Sequence, residues 1–419
     1  MDSFPGEWMH YQFRTAGESH GRGLLCIVEG LPAGVPLVAS RDIDPDLRRR
    51  QGGYGRGDRM KIEQDRAEII SGIRLGETLG SPIGLVIWNR DWENWRVAMA
   101  HDPQDADDAT LRRVHLPRPG HADLVGVLKY DRDDARDILE RASARETTAR
   151  VAAGALAKRM LAEFGISIGS HIVMLGGIIA KTPASWPDDI NAVADASPLR
   201  TLDAEAEARM IDEIDAAKAE GDTLGGTFEV VARGLPVGLG SHVSWDRKLD
   251  GRLAGALMSI QAMKGVEIGL GFEAARRRGS AVHDEIEAGA AGRTGGFRRS
   301  SNNAGGLEGG ITTGAPLVAR VAMKPLSSLV KPLRSVDLRT GSRAEAVRER
   351  SDVVALAAAG VVGEAMVAIV LADAMLEKFG ADSLTEMRRN FEGYLQQLDR
   401  RRAALENAAS SATSAERGS

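Results

Sequence analysis

Two histidines lie in short polar segments whose composition suits proton transfer. His20 lies within residues 17–21 (Gly-Glu-Ser-His-Gly), and His121 lies within residues 118–123 (Arg-Pro-Gly-His-Ala-Asp). Histidine gains or loses a proton near neutral pH, and polar loops often carry function. Taken alone, each histidine is interpreted equally well as a proton donor or as a hydrogen-bonded loop residue.

Arginines are concentrated in three other segments that suit anion binding. Residues 141–147 and 348–352 precede Ala-rich stretches, and we expect each to open a helix whose N-terminus attracts anions. Residues 49–57 combine arginines with glycines, which favours a mobile loop whose guanidinium groups close over an anionic ligand. A solvated basic loop is the alternative interpretation, and we interpret Arg48 and Arg49 as surface charge.

Three other chemistries fit the sequence poorly. Ser19 and His20 are adjacent, so their side chains are not expected to face each other, and the Gly-x-Ser-x-Gly pattern of serine hydrolases is missing. The glycines at 52–57 are followed by charged residues at 58–64, which argues against a dinucleotide-binding fold. One cysteine and the lack of a His-x-x-His pair argue against zinc. Magnesium held by scattered carboxylates stays open, although we expect no metal.

The composition describes a globular chain that is poorly suited to nucleic acid. Of 419 residues, 43% are apolar and 4% are aromatic, and the formal net charge is −5. A basic field and aromatic platforms are both missing, so a non-catalytic anion-binding or nucleic-acid-binding protein is the weaker alternative. Cys26 lies in an apolar run and is predicted to be a buried thiol. Glycines and acidic residues interrupt the longest apolar segment, 353–376, so we expect a cytoplasmic protein without a membrane partner.

Internal repeats indicate how the chain is organised around these segments. Three patterns recur in the same order: a strand-like run before Gly-Leu-Pro, a Gly-Ile turn leading to proline, and an Ala-rich helix ending in Phe-Gly. The paired segments are 27–34 with 231–238, 71–82 with 310–316, and 161–165 with 376–380. The sequence therefore predicts two related halves, at about 13–200 and 225–400.

Each half supplies strands and one long Ala-rich helix. Small side chains at 152–155 and 357–360 permit the two helices to pack closely. Helices and strands do not alternate strictly, so we predict an α+β sandwich with central helices between two sheets. We treat residues 1–403 as one domain. Residues 404–419 have almost no large apolar side chain and are predicted to be a disordered tail.

Taken together, these segments resemble the chorismate synthase family. The resemblance runs from Phe13 to about Phe391. The segments that carry it include residues 49–57, 261–267, 303–310 and 324–328. It implies a β-α-β sandwich and a lyase that converts 5-enolpyruvylshikimate 3-phosphate to chorismate and phosphate by 1,4-anti elimination. That reaction requires reduced FMN and is the last step of the shikimate pathway to aromatic amino acids.

The resemblance also implies roles for individual residues. His20 would donate a proton to the departing phosphate beside Ser19, His121 would keep a proton near flavin N1, and Asp352 would help to deprotonate flavin N5. Planar guanidinium groups bind phosphate and carboxylate bidentately. The implied substrate-binding residues are Arg50, Arg56, Arg59, Arg118, Arg145 and Arg350. The implied flavin-binding residues are Arg141, Ala142 and Ser143 at a helix start, Gln261 and Ala262 on another helix, Gly309, Lys324, Pro325, Leu326, Ser327, Ser328 and Arg350.

Partners follow from the same resemblance. No reductase domain is appended, so reduced FMN (FMNH2) would come from an external NAD(P)H-dependent flavin reductase, and a homotetramer is implied. Leu124 stands where the family usually has tyrosine, and Asp131 and Arg132 replace a small or apolar pair, which bears on local packing. A flavin-dependent reductase that passes hydride to an external acceptor stays an alternative. Phosphate release without flavin oxidation distinguishes the two activities.

Overall fold

The structure, a computed structural model, describes residues 10–57, 63–183, 185–349 and 352–417, with only the backbone described at 405, 406 and 408–417. Its strands are β1 Gln12–Ala16, β2 Gly23–Glu29, β3 Glu68–Ile69, β4 Ile73–Arg74, β5 Glu77–Thr78, β6 Ile83–Trp88, β7 Ser167–Leu175, β8 Ile178–Ile179, β9 Gly226–Arg233, β10 Met263–Ile268, β11 Ile286–Ala288, β12 Phe297–Arg299, β13 Leu307–Glu308, β14 Ile311–Thr312, β15 Leu317–Met323, β16 Arg334–Val336 and β17 Arg343–Glu345. Its helices are α1 Ala39–Asp42, α2 Asp44–Gln51, α3 Asp123–Tyr130, α4 Arg136–Ala142, α5 Thr147–Ala162, α6 Ile190–Asp195, α7 Ala204–Glu220, α8 Leu249–Met258, α9 Leu356–Phe379 and α10 Leu384–Arg417.

Two antiparallel sheets form the outer layers. The first has the strand order β1-β2-β6-β3, and the second has the order β10-β15-β9-β7-β8. Side chains alternate along β2, so that Leu24, Cys26 and Val28 are buried while Leu25 and Ile27 are exposed. Cys26 is a buried free thiol, as the sequence predicts. Burial, with a smaller effect of the Glu146 charge, raises its pKa to about 12.

Two central helices, α5 and α9, lie between the sheets. Helix α5 packs on β2, α9 packs on β7 and β9, and the two helices pack on each other. The two helices approach so closely at Gly154 that any side chain there would overlap Ala365. The predicted α+β sandwich with central helices is therefore confirmed.

Helix α9 is long and apolar enough to cross a membrane, judged by length and composition alone. Its most apolar stretch is completely buried in the sandwich, and it carries the buried carboxylate of Glu364. Arg49 Nη2 donates to this carboxylate at 2.8 Å, Lys158 Nζ donates at 2.6 Å and Arg200 Nη2 donates at 3.0 Å. Arg49 is thus part of a buried ionic cluster, and its interpretation as surface charge was wrong.

The two sheets repeat one strand order, which locates the division between the halves. The order β1-β2-β6-β3 in the first sheet corresponds to β7-β9-β15-β10 in the second. In each half a hairpin precedes an inner strand of the sheet. Hairpin β4-β5 precedes β6, and hairpin β13-β14 precedes β15. Because β7 belongs to the second sheet, the halves divide between α5 and β7, at residues 163–166. The predicted boundary between the halves, at 200–225, lies too far along the chain. The sequences of β1 and β7 do not resemble each other as clearly as the two Gly-Leu-Pro segments do.

Helices α3 and α4 form a small separate core beside the sandwich. Val127 of α3 packs with Val114 and with Leu139 of α4. The substituted positions of the family pattern lie at the surface of this unit. Leu124 is partly exposed, and Asp131 ends α3 in the left-handed conformation with φ of 53°.

The last helix differs from the sequence prediction. Helix α10 continues to Arg417, through most of the segment predicted to be a disordered tail. The alanines of this segment favour helix, and composition alone did not distinguish an extended helix from disorder. Before this segment, Arg402 donates to the carbonyl oxygen of Gly289, and Asp399 accepts from the Gly292 backbone at 2.9 Å.

Candidate active site

His20 lies in the loop that joins β1 to β2. Gly17 turns the chain with φ of 104°, and a side chain there would collide with the carbonyl oxygen of Gly23. Asn89, directly after β6, donates to the carbonyl oxygen of Gly21 at 2.7 Å. The histidine loop is therefore fixed to the end of β6.

The His20 ring is held by a carboxylate and an aromatic ring. Its Nδ1 lies 2.9 Å from Glu140 Oε1, and its backbone N–H donates to Glu140 Oε2 at 2.8 Å. Trp95 stacks on the imidazole, with ring centroids 3.8 Å apart and planes inclined by 21°. We assign a proton to Nδ1 because a carboxylate can only accept. Nε2 has no hydrogen-bond partner in the described part of the chain and can face a ligand.

Glu140 is buried at the end of α4. Arg136, one helical turn earlier, donates to Glu140 Oε1 at 3.1 Å and to Glu349 at 3.0 Å. Burial would raise the pKa of Glu140, but the hydrogen bonds and charge of His20 and the charge of Arg136 outweigh it, so the pKa lies below its usual value. The Glu140 carboxylate is therefore an ionised acceptor for the His20 ring.

Ser19 and Ser143 join the histidine loop to the connection between α4 and α5. Their hydroxyl oxygens lie 3.2 Å apart, and Ser19 is buried. The predicted helix start within residues 141–147 is confirmed, since α5 begins at Thr147, but the implied placement of residues 141–143 at that start was wrong. Arg141 and Ala142 end α4, the extended backbone of Ser143 interrupts the helix, and α5 begins only at Thr147.

Arg50 and Arg145 are buried beside this connection, and each has protein partners. Arg145 Nη1 lies 2.8 Å from Asp65 Oδ2, and its Nε donates to Asn89 Oδ1 at 2.9 Å. Arg50 Nε donates to Thr147 Oγ1 at 2.9 Å, while its Nη1 lies 3.8 Å from Asp65. The structure brings these two predicted substrate residues together around one carboxylate.

His121 lies in a second loop, directly before α3. Its Nδ1 is 2.5 Å from Asp123 Oδ1, and Arg118 Nε donates to Asp123 Oδ2 at 2.9 Å. Burial would raise the pKa of Asp123, but the hydrogen bonds of His121 and Arg118 hold that pKa well below its usual range. A buried arginine and a carboxylate thus orient this second histidine.

Residues 324–328, which follow β15, contact the His121 loop. Lys324 Nζ donates to the carbonyl oxygen of Gly120 at 2.7 Å, and Arg118 donates to Ser328 Oγ at 2.8 Å. Burial and the charge of Lys264 lower the pKa of Lys324. The structure therefore joins one predicted flavin-binding segment to one predicted catalytic histidine.

Gln261 and Ala262 lie beyond the end of α8, which ends at Met258, so their predicted helical placement was wrong. Ala262 has φ of 70°, a value rare for a residue other than glycine, because the chain turns sharply into β10. Its carbonyl oxygen accepts from the backbone of Lys324 at 3.0 Å. These two predicted flavin-binding segments are therefore neighbours.

Gln261 also lines a cavity of about 440 Å³ with Thr15, Arg141 and Glu146. Its Nε2 donates to Glu146 Oε2 at 3.1 Å, whereas its Oε1 is buried without a hydrogen-bond partner among the described residues. Arg141 donates to Thr15 Oγ1 at 2.7 Å. Gln261 therefore combines a place in the cavity wall with a buried acceptor that has no described partner.

Asp352 holds the glycine-rich loop, residues 52–57, through Arg56 and Gly57. Arg56 Nε lies 2.8 Å from Asp352 Oδ2, and the Gly57 backbone donates to Asp352 Oδ1 at 2.6 Å. The sequence predicted that Asp352 opens a helix, but α9 begins at Leu356. The backbone of Val353 instead hydrogen-bonds to the glycine-rich loop and to the chain before β9.

One predicted site residue of the described chain, Gly309, does not join these clusters. Arg59 and Arg350 lie outside the described residues. Gly309 forms the turn of hairpin β13-β14, before β15, whereas Lys324 follows β15. The two are therefore separated by a strand of about 20 Å.

Several residues of the site were missed in the sequence. Glu140 directly precedes the arginine-rich segment 141–147 and could have been found by extending it by one residue. Asp65, Asn89 and Trp95 gave no signal, because each reaches the site only through tertiary contacts. Among the described residues, no cluster of His, Cys, Asp and Glu is arranged to hold a metal ion.

Comparison with known proteins shows which family the chain resembles. Residues 11–376 match the family model described as chorismate synthase. The chain is 59% identical over 394 residues to a chorismate synthase from Symbiobacterium thermophilum, covering 93% of this chain and 100% of the relative. It is 58% identical over 389 residues to one from Geobacter sulfurreducens, covering 92% and 98%. A crystal structure of a chorismate synthase matches with a TM-score of 0.74 and 46% identity, covering 93% of this chain and 98% of that one.

Proposed function

Since the chain belongs to the chorismate synthase family of shikimate-pathway enzymes, we propose that it is a carbon-oxygen lyase that forms chorismate. Its substrate is 5-enolpyruvylshikimate 3-phosphate, and the reaction is a 1,4-anti elimination that releases phosphate. The product serves aromatic amino-acid biosynthesis.

The observation that carries this proposal is the orientation of His20. Glu140 engages Nδ1 of the ring, Trp95 stacks on its face, and Nε2 is left for a ligand. Ser19 precedes it in the loop and contacts Ser143, and Arg145 donates to Asn89, which in turn holds the loop at Gly21. An imidazole N–H beside the Ser19 hydroxyl suits proton donation to a departing phosphate.

We propose that the substrate anions are bound by Arg50, Arg56, Arg118 and Arg145, with Arg59 and Arg350 completing the set. The substrate bears one phosphate and two carboxylates, which planar guanidinium groups bind bidentately. In the described structure Arg50 and Arg145 approach Asp65, and Arg56 pairs with Asp352. Substrate binding therefore competes with internal carboxylates at these positions.

Reduced FMN is the proposed cofactor, and the residues present suit it. Lys324, Ser327 and Ser328 offer an ammonium and two hydroxyls, and Gln261 Oε1 is a buried acceptor without a described partner. The further proposed contacts are Arg141, Ala142, Ser143, Ala262, Gly309, Pro325, Leu326 and Arg350. When bound, reduced FMN supplies an electron that is returned before the products leave, so there is no net oxidation.

Three residues have separate roles in the proposed proton transfers. His20 donates from Nε2 to the departing phosphate oxygen, near the Ser19 hydroxyl. His121, held by Asp123, keeps a proton on the flavin side of the site, and Asp352 accepts one there. We further propose a homotetramer in the cytoplasm, with reduced FMN provided by a separate NAD(P)H-dependent flavin reductase.

An anaerobic assay tests the function. The purified chain is mixed with 5-enolpyruvylshikimate 3-phosphate and photoreduced FMN, while chorismate, phosphate and the flavin spectrum are followed. We expect chorismate and phosphate in equal amounts with the flavin still reduced at the end, and no product with oxidised FMN in air without a reductant. Consumption of one reduced flavin per turnover would instead support a reductase.

A further inference from the structure

We infer that Glu140 is a positioning residue for the proton transfer by His20, fixing one proton on Nδ1 so that Nε2 is the atom that donates. This inference rests on the proposed function. Glu140 itself touches no reacting atom in the scheme, since its contacts are with the histidine loop and with Arg136.

Three contacts tie Glu140 to the histidine loop. Its carboxylate accepts from both the ring Nδ1 and the backbone N–H of His20, and its own carbonyl oxygen accepts from the backbone of Ser19 at 3.0 Å. One residue therefore fixes both the place of the loop and the rotation of the ring. A residue that only stabilised the fold would not need to engage the imidazole.

The surroundings of Glu140 and Trp95 restrict the ring further. Arg136 lies between Glu140 and Glu349 and also over the Trp95 ring, with its guanidinium carbon 5.2 Å from the ring centroid. Arg112 lies over the same ring at 4.0 Å. Trp95 is thus held in place on one side of the imidazole while Glu140 holds its edge.

The proton transfer from His20 to phosphate requires no proton on Glu140. The Nε2 proton passes to the phosphate oxygen, and the carbon-oxygen bond breaks with its electron pair leaving on phosphate. The electron pair of the C–H bond lost at the other end of the 1,4 system forms the new double bond. The neutral ring keeps the Nδ1 proton, which is still donated to the carboxylate. The pKa of Glu140 lies below its usual value, because the partners His20 and Arg136 outweigh burial, so the carboxylate stays ionised throughout.

The test compares Glu140→Gln with Glu349→Gln, which removes a charge behind Arg136 without touching the ring. For Glu140→Gln we expect turnover to fall about tenfold or more, less than for loss of the histidine, with the KM for substrate changed by no more than about twofold. The pH profile of turnover should differ between Glu140→Gln and the parent chain, because a neutral amide replaces the ionised carboxylate beside the ring. Glu349→Gln should stay within about twofold of the parent chain.

A spectroscopic measurement keeps the inference testable if Glu140→Gln does not fold. Nitrogen-15 NMR of the parent chain, with the His20 signal assigned by its loss in His20→Ala, reports which ring nitrogen carries the proton. We expect the Nδ1–H tautomer in the neutral ring, whereas free histidine prefers Nε2–H. An Nε2–H tautomer would overturn the inference, as would unchanged turnover and pH profile in Glu140→Gln. The NMR result does not depend on chorismate formation, so it fails separately from the proposed function.

Discussion

The loops around His20 and His121 present the same three groups, a histidine, a carboxylate and an arginine, but assemble them from different distances along the chain. Glu140 lies 120 residues from His20, whereas Asp123 lies two residues from His121. Arg136 precedes Glu140 by one helical turn, and Arg118 precedes Asp123 within the same loop.

This difference determines what each histidine depends on. The histidine, carboxylate and arginine of the His121 arrangement all lie within residues 118–123, and Lys324 and Ser328 support that loop from outside. The His20 arrangement requires α4 to dock against the loop between β1 and β2, and it requires Trp95 from a third segment. A perturbation of packing should therefore disturb His20 before it disturbs His121.

Replacing the histidines gives the largest expected effect. His20→Ala and His121→Ala should each lower turnover by about 100-fold or more, the usual range for a positioned proton donor, while the fold is retained. Single-turnover kinetics with bound reduced FMN measure the loss, and circular dichroism with FMN titration controls for folding. Near-normal turnover in either variant would assign that histidine to loop stability alone.

A charge outside both histidine loops sharpens the comparison. Arg56→Ala should weaken substrate binding by about 1.5–3 kcal/mol and flavin binding much less, because one charged hydrogen-bonding group is lost. Arg48→Ala is the matched control, since Arg48 is an exposed arginine on α2. Equal substrate affinities of the two variants, measured by calorimetry, would make the glycine-rich loop a solvated basic loop.

The Asp123 carboxylate of the His121 loop should also affect how the stability of the fold depends on pH. The pKa of Asp123 is lower in the folded chain than in the unfolded chain, so its ionised form stabilises the fold above about pH 4, and this contribution is lost as pH falls through the folded pKa. Asp123→Asn should lower the free energy of unfolding near neutral pH by about 1–3 kcal/mol. Urea unfolding should show that the difference in free energy of unfolding between the two chains shrinks below about pH 4. A difference that is independent of pH would contradict an ionised Asp123 carboxylate.

The same contrast explains which parts of the molecule the sequence could predict. The sandwich follows from the repeated patterns, and the His121 loop follows from six consecutive residues. Local composition does not show that Arg49 reaches Glu364 inside the core, nor that the backbone near Asp352 bonds to the glycine-rich loop instead of starting α9. In each case a partner far along the chain decides the local structure, as Glu140 does for His20.

Shortening the chain should have the smallest effect, because it removes a region that contributes to neither histidine loop in the described contacts. A chain ending at residue 403 keeps the hydrogen bond from Arg402 to Gly289 and the contact of Asp399 with Gly292. The sequence beyond residue 403 has almost no large apolar side chain, so we expect its removal to cost little stability. We expect the melting temperature and turnover to stay close to those of the full chain. A matched truncation before Asp399 should cost more, since it also removes both contacts, and equal losses from the two truncations would show that residues 404–419 dock on the fold.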